Sequence, residues 1–216
     1  IRLAGQGEAG TGGGAGDQIG QAEQAVHRGP AEVRVELGAI EGEVRRMTAI
    51  IRRFLDSARA LTPEPEPVDV AALVEEAVSL SLSADARARL RVERAVPADL
   101  GRVVTDPGLV RHVLVNFISN AVDAMPAGGA LGVAAERRGE HLALSVADTG
   151  EGIAPEERRR IFEPFYSTKP PGRGTGLGPA ICREIAEALK GRIDVESEPG
   201  RGSTFTFVVP ATAWRA

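Results

Sequence analysis

The chain has 216 residues, 43% hydrophobic and 26% charged, enough for one well-cored domain plus an appendage. A net charge of −4 argues against a general nucleic-acid binder, and the single cysteine, Cys182, excludes an internal disulfide framework and suits a reducing cytosol. No run approaches the roughly 20 apolar residues that cross a bilayer, so no membrane segment is expected in this chain, and the start at Ile1 rather than Met points to a cytoplasmic piece cut from a longer polypeptide.

Residues 1–16 are dominated by the glycine-rich stretch AGQGEAGTGGGAG and read as a flexible arm. Gly5-Gln6-Gly7-Glu8-Ala9-Gly10 matches the dinucleotide pattern in form only, because no strand precedes it and no periodic helix follows. Asp17–Arg28 is expected to form a short helix that folds back at the Gly29-Pro30 turn. From Ala31 the residues Val33, Leu37, Ile40, Val44, Met47, Ile51, Phe54, Ala58 and Leu61 alternate spacings of four and three. Such a heptad seam, with Glu, Arg and Thr between its members, wants a partner helix along one stripe and water elsewhere. Residues 17–62 thus read as part of a helical hairpin that dimerises through 31–61, and Pro63, Pro65 and Pro67 mark a stiff hinge over 63–67.

Beyond the hinge, residues 68–212 read as a mixed α/β domain. Val70, Leu73, Val74, Ala77 and Val78 give a helix, Leu90 with Val92 and then Arg102–Val104 give short strands, and Asp106-Pro107 supplies an N-cap and a first-turn proline for the next helix. Leu131–Glu136 and Leu142–Asp148 form a hairpin around Arg137–Glu140. From Gly150 to Thr175 only Glu156–Ile161 has a helical turn, and a loop that long in a compact domain is usually functional. A helix then runs to Lys190, is stopped by Gly191, and Ile193–Ser197 pairs with Ser203–Val209 across Glu198-Pro199-Gly200.

Two places carry chemistry. On the helix after Pro107, His112, Asn116, Asn120 and Asp123 fall within about 80° of one another on a stripe apart from the apolar face. Asparagine is a poor interior helix former, whereas its amide oxygen is a hard neutral ligand for Mg²⁺ that does not repel phosphate. In the strand Leu142, Leu144, Val146 the period of two carries Asp148 onto the buried face, where a carboxylate needs a donor from the protein or from a ligand. An adenine amino group is an apt donor, and a cap or Asx turn is the competing local role. The segment around Ser167-Thr168-Lys169 and Gly172, Gly174, Gly176 and Gly178 is neither a P-loop nor a dinucleotide fingerprint, because the lysine precedes the glycines and they recur every second residue.

Taken in order, "NFISNAVDAM" (116–125), "DTGEGI" (148–153), "FEPFYSTK" (162–169), "GTGLG" (174–178) and "GSTFTF" (202–207) closely resemble the ATP-binding domain of sensor histidine kinases, within the superfamily that includes gyrase and MutL. The resemblance implies an α+β fold, a two-layer α/β sandwich of the Bergerat type whose mixed sheet is covered on one face by helices, preceded by a long bundle-forming helix. It implies ATP and Mg²⁺ as cofactors, with Asn120 as the metal ligand and Asn116 and Asp123 beside it. The gyrase-like branch carries a glutamate at the position of Asn116 to activate water, so this chain suits phosphoryl transfer better than hydrolysis. Asp148 would accept from the adenine amino group, with Gly150 and Gly152 shaping the pocket floor, and Ile153 and Ser203 would also belong to the cofactor-binding set. Phe162 and Phe165 would anchor a lid from which Thr168 and Lys169 approach the phosphates, and Gly174, Thr175, Gly176, Leu177 and Gly178 would wrap the triphosphate at a helix start. Pro179 departs from the family's usual apolar residue and removes one amide there.

A two-component kinase also implies a phosphoacceptor histidine and a response-regulator receiver domain as partner. Counting back from Phe54 by the usual hairpin length reaches residues 3–6, which hold no histidine. His27 precedes Arg28-Gly29-Pro30 at the turn, His141 begins a strand, and His112 faces the expected phosphates as a ligand contact. Two readings follow: a kinase that phosphorylates a histidine not evident in this chain, or a degenerate kinase acting as a nucleotide-dependent switch or scaffold.

Overall fold

In the computed structural model the chain divides into two compact units, residues 1–52 and 53–216, and the structure describes residues 61–169, 174–210 and 214–215, all in the second. The glycine-rich arm, the expected helix at 17–28 and the heptad seam up to Ala58 lie outside the described residues. Leu61 to Pro65 have no regular structure, and β1 (Glu66–Asp69) takes up Glu66 and Pro67, which the composition assigns to the hinge. Pro67 is tolerated because, among the described residues, β1 pairs only with β3 (Arg102–Thr105) and so lies at a sheet edge.

Helix α1 (Val70–Ser81) buries Val70, Leu73, Val74, Ala77 and Val78, the five residues its periodicity singles out. Asp69 caps it by accepting from the Ala72 N–H at 3.0 Å. Helix α2 (Ala84–Arg89), capped by Ser83, was not anticipated, because six residues are too few to show a helical period. Helix α3 (Pro107–Asp123) starts as expected: Asp106 Oδ1 accepts from the Leu109 N–H at 2.9 Å and Pro107 opens the first turn. Its apolar side, Val110, Val113, Leu114, Phe117, Ile118 and Ala121, is buried.

Those side chains meet a five-stranded mixed sheet. Strands β2 (Leu90–Ala95), β4 (Gly129–Arg138), β5 (His141–Asp148), β6 (Arg192–Glu198) and β7 (Gly202–Pro210) lie in the order β2-β4-β5-β7-β6, with β2 parallel to β4 and the other pairs antiparallel. Residues directly opposite in an antiparallel pair share a face, so Leu142, Leu144 and Val146 line up with Val209, Phe207 and Phe205, and the latter two with Ile193 and Val195. Phe205 meets Phe117 of α3 with ring centroids 5.2 Å apart, which fixes helix to sheet. A second, smaller sheet has the order β1-β3-β8, where β8 is Trp214–Arg215. This is the two-layer α/β sandwich of the Bergerat type. Among the described residues no helix is long and apolar enough to cross a membrane.

Three boundaries differ from expectation for identifiable reasons. The β4–β5 hairpin runs on to an Arg138–His141 pair, because ladder hydrogen bonds continue past the last buried side chain at Ala135. The helical turn expected at Glu156–Ile161 is a run of turns ending in a 3₁₀ segment, Arg160–Phe162. Helix α4 (Gly178–Ala188) ends two residues before Lys190, and Lys190 rather than Gly191 takes the left-handed conformation, φ 55°. Gly191 follows it, donating to the Ala186 carbonyl at 2.7 Å while Lys190 N–H donates to Glu187 at 3.0 Å, a Schellman ending. What requires glycine at 191 is space, since a Cβ there would lie 2.3 Å from the Val208 carbonyl oxygen.

Candidate functional site

One end of the site is built on α3. Asn116 and Asn120 are one turn apart and half-buried, and the Asn120 side-chain amide donates to Asn116 Oδ1 at 3.1 Å. That bond leaves Asn120 Oδ1 turned outward, where Lys169 Nζ donates to it at 3.4 Å and pairs with Asp123 Oδ2 at 2.6 Å. The oxygen expected to bind a metal therefore already faces a cation, and two of the predicted residues, Asn120 and Asp123, converge on the ammonium group of a third, Lys169. Asn116 also touches the start of α4 so closely that a Cβ on Gly178 would lie 2.2 Å from Asn116 Nδ2. Only glycine allows the asparagine pair and the helix start to meet.

The start of α4 is unlike those of the longer helices. Asp69 and Asp106 cap α1 and α3, whereas Leu177 at the α4 N-cap provides no side-chain cap. The first-turn amides of α4, less the one that Pro179 lacks, are consequently not satisfied by a capping side chain, the condition under which a helix start takes an anion. Gly176, with φ 65°, presses on the backbone of Phe165 and Tyr166, and its carbonyl accepts from the Phe165 N–H at 3.0 Å. Thr175 Oγ1 accepts weakly from the Leu177 N–H at 3.5 Å, and the Leu177 side chain is buried. Gly174 lies against Ser167 and Lys169.

A groove of about 450 Å³ runs beside this end along α3, lined by Leu80, Arg111, His112, Asn116, Gly178 and Ile181. His112 thus shares a wall with Asn116 and Gly178, as the polar stripe predicts. Thr168 is exposed and is not drawn in with Lys169. Phe162 is half-buried, but Phe165 is 66% exposed with φ 67°. The backbone bond to Gly176 holds Phe165, and its left-handed turn leaves the ring in solvent.

The other end is built on the sheet. Asp148 is 8% exposed, and its Oδ1 accepts from the Gly150 N–H at 2.8 Å, so the Asx turn named as the competing role is present. A second backbone donor comes from Ser203, directly opposite on β7. Burial raises the carboxyl pKa above 3.8 and Glu151 adds to the rise, while the Gly150 and Ser203 N–H groups work against it. Gly150 is packed against Ala124 at the end of α3, and Gly152 against Glu198, so the protein's own backbone requires both glycines. A Cβ on Gly202 would lie 1.9 Å from the Asp148 carbonyl oxygen. Ile153 N–H donates to Ser197 Oγ at 2.7 Å, and that oxygen lies 2.9 Å from Ser203 Oγ.

The structure thus assembles two groups: Asn116, Asn120, Asp123, Lys169, Gly174 and Gly178 at one end, Asp148, Gly150, Ile153 and Ser203 at the other. Sequence reasoning passed over Ser197 and Arg158, whose Nη2 donates to the Ser197 carbonyl. Ser197 was legible in principle. It continues the inward alternation of Ile193 and Val195, as Asp148 continues that of its own strand. Among the described residues no group of three or more His, Cys, Asp or Glu is placed to hold a metal.

Comparison with known proteins identifies the family. The family described as histidine kinase-, DNA gyrase B-, and HSP90-like ATPase matches residues 105–213. The sensor-like histidine kinase SenX3 of Mycobacterium tuberculosis is 36% identical over 192 residues, covering 87% of this chain and 46% of the relative. Among solved structures, full-length ShkA in complex with AMPPNP superposes with a TM-score of 0.76 at 33% identity, over 88% of this chain and 41% of ShkA. The catalytic domain of the histidine kinase ThkA superposes with a TM-score of 0.62 at 29% identity, over 68% of this chain and 96% of that domain. The chain spans about half the length of the curated relative it matches, 46% of SenX3. On the match over residues 105–213, the chain belongs to the histidine kinase-, DNA gyrase B-, and HSP90-like ATPase family.

Proposed function

We propose that this chain is the ATP-binding catalytic core of a two-component sensor histidine kinase, which passes the γ-phosphate of ATP to a histidine not evident in this chain and thence to a response-regulator receiver domain. The observation that carries the reading is the contact of Asn116 with Gly178 at the uncapped start of α4. It joins neutral oxygen ligands and bare helix amides in one place, which suits a triphosphate with its cation. Asp148 and Ser203 at the other end suit the base. The named histidine kinases among the relatives support the same assignment.

The residues present fit Mg²⁺: Asn120 Oδ1 already faces the ammonium of Lys169, with Asp123 beside it. Asn120, with Asn116 and Asp123 near it, would hold the ion, which when bound supplies neutralisation of charge on the phosphate oxygens. Lys169 then exchanges Asp123 for phosphate oxygens, and the amides of Gly178 and Ala180 orient the triphosphate. No carboxylate stands at position 116 to activate water, which favours transfer to an acceptor over hydrolysis. We further propose that the whole protein works as a homodimer through 31–61, the segment with the heptad seam.

The test mixes the purified chain, radiolabelled ATP, Mg²⁺ and a separate helical hairpin carrying an acceptor histidine. Label on the hairpin is the expected result. ATP binding without transfer would instead support the switch reading, which the histidine-free segment at 3–6 and the amide missing at Pro179 favour. Absence of any ATP binding by calorimetry would overturn both. Sedimentation that finds only monomer at tens of micromolar would remove the dimer.

A further inference from the structure

Asp148, Ser203 and Ser197 form one row across three strands, because Asp148 is directly opposite Ser203 and Ser203 directly opposite Ser197. Side chains so placed stand on the same face, and the 2.9 Å contact between the two serine oxygens agrees. Asp148 and Ser203 are 8% and 6% exposed. Two buried polar side chains with the half-buried Ser197 beside them, at the end of apolar strands, have to balance their hydrogen bonds within the row or with a ligand.

A hydroxyl offers one proton and two acceptor sites. Ser197 Oγ receives the Ile153 N–H at 2.7 Å, approaches the Gly202 carbonyl at 3.0 Å, and lies 2.9 Å from Ser203 Oγ. The Gly202 carbonyl oxygen can only accept, so it takes the Ser197 proton. The contact between the serines then requires Ser203 to donate, which fills both acceptor sites of Ser197. With its proton committed, Ser203 Oγ presents only acceptor sites to anything else, next to a carboxylate that also accepts. Ser197 is itself held in place by Arg158, whose Nη2 donates to the Ser197 carbonyl. Neither residue belongs to the set expected to touch the nucleotide.

We infer that Ser197 is a specificity-determining positioning residue: by taking the Ser203 proton, it makes the Asp148–Ser203 pair an all-acceptor surface that selects a 6-amino purine and disfavours a 6-oxo purine. The inference rests on the nucleotide reading above and deepens it. A 6-amino group brings protons to that surface, whereas a 6-oxo group brings an acceptor and leaves acceptors facing one another. Without the Ser197 hydroxyl, Ser203 O–H is free to turn and donate, so discrimination drops.

The test measures dissociation constants of ATP and inosine triphosphate for the full chain and for Ser197→Ala, with a thermal melt of each protein. Loss of one neutral hydrogen bond is worth roughly 1 kcal/mol, about fivefold in affinity. The ratio of ATP to inosine triphosphate affinity is expected to fall about five- to tenfold in Ser197→Ala and to be kept in Ser197→Thr, which retains the hydroxyl. Equal weakening of both nucleotides, or an unchanged ratio, overturns the inference while leaving the ATP reading intact. A wild-type chain that binds neither nucleotide overturns both. Should Ser197→Ala fail to fold, Ser203→Ala addresses the same pair from the other side: a ratio that falls supports the assignment, and one that stays constant overturns it.

Discussion

The two ends of the site are held by different means. At the sheet end the carboxylate of Asp148 sits on a central strand, and backbone N–H groups of Gly150 and Ser203 reach it from the turn that follows and from the neighbouring strand, an arrangement we propose for the base. At the helix end, which we propose for the phosphates, the asparagines stand on the half-buried side of α3 and are tied to the segment before α4 by a lysine whose side chain is 32% exposed. Sheet ladders and close backbone packing make the first end rigid in the absence of ligand. The second depends on charges that a nucleotide would rearrange. Recognition of a flat base needs a fixed shape, whereas phosphate and metal need groups that can exchange partners.

Four perturbations test this contrast. The largest effect is expected at the exchanging end: Asn120→Ala removes the oxygen that faces the cation, and Mg-ATP-dependent labelling of an acceptor hairpin should drop about 10²- to 10³-fold, a loss of electrostatic transition-state stabilisation. The melting temperature should hardly move. Transfer within a few-fold of wild type would refute the assignment of Asn120.

At the fixed end, Gly202→Ala should act on the fold itself. The added Cβ would lie 1.9 Å from the Asp148 carbonyl, at a φ of 105° that side chains avoid. Strain and overpacking together predict a loss of roughly 3 kcal/mol, read from chemical denaturation. A variant as stable as wild type would show that the strand ends are looser than described here.

A third, smaller effect separates stability from binding at Asp148. The fold raises its pKa above 3.8, with burial the main cause. Its contribution to stability is therefore complete below 3.8 and is lost as pH rises through the raised value. Without nucleotide, Asp148→Asn should melt higher than wild type at neutral pH, and the gap should close on acidification towards 3.8. ATP affinity should fall in the same variant. A gap that widens with acid would reverse the sign. Least of all should Lys169→Met disturb the fold. Its ion pair with Asp123 is half exposed, and such pairs contribute about 0–1 kcal/mol, so the denaturation midpoint should stay nearly constant while the affinity for ATP over ADP declines. A large loss of stability would mean that the lysine is structural.

Much of this was legible before any coordinates. The period of α1 and α3, the cap at Asp106, and the inward alternation that ends at Asp148 follow from side-chain geometry within a single element. Helix α2 was not legible, since six residues contain too little repetition, and neither was the left-handed turn at Lys190, which takes a conformation normally left to glycine. The exposure of the Phe165 ring was not legible either, because the backbone bond to Gly176, a residue distant in sequence, fixes its place.

The sequence by itself determined which residues face inward, where most elements begin, and that a stripe of amides and a strand-end carboxylate exist. Local backbone geometry sets those features, and neighbouring residues report it. Only the tertiary structure decided that Gly178 lies against Asn116, that Lys169 spans Asn120 and Asp123, and that the Ser197 and Ser203 hydroxyls meet. Such contacts join residues from separate elements, and their directions depend on strand register and donor accounting, which no single stretch of chain contains.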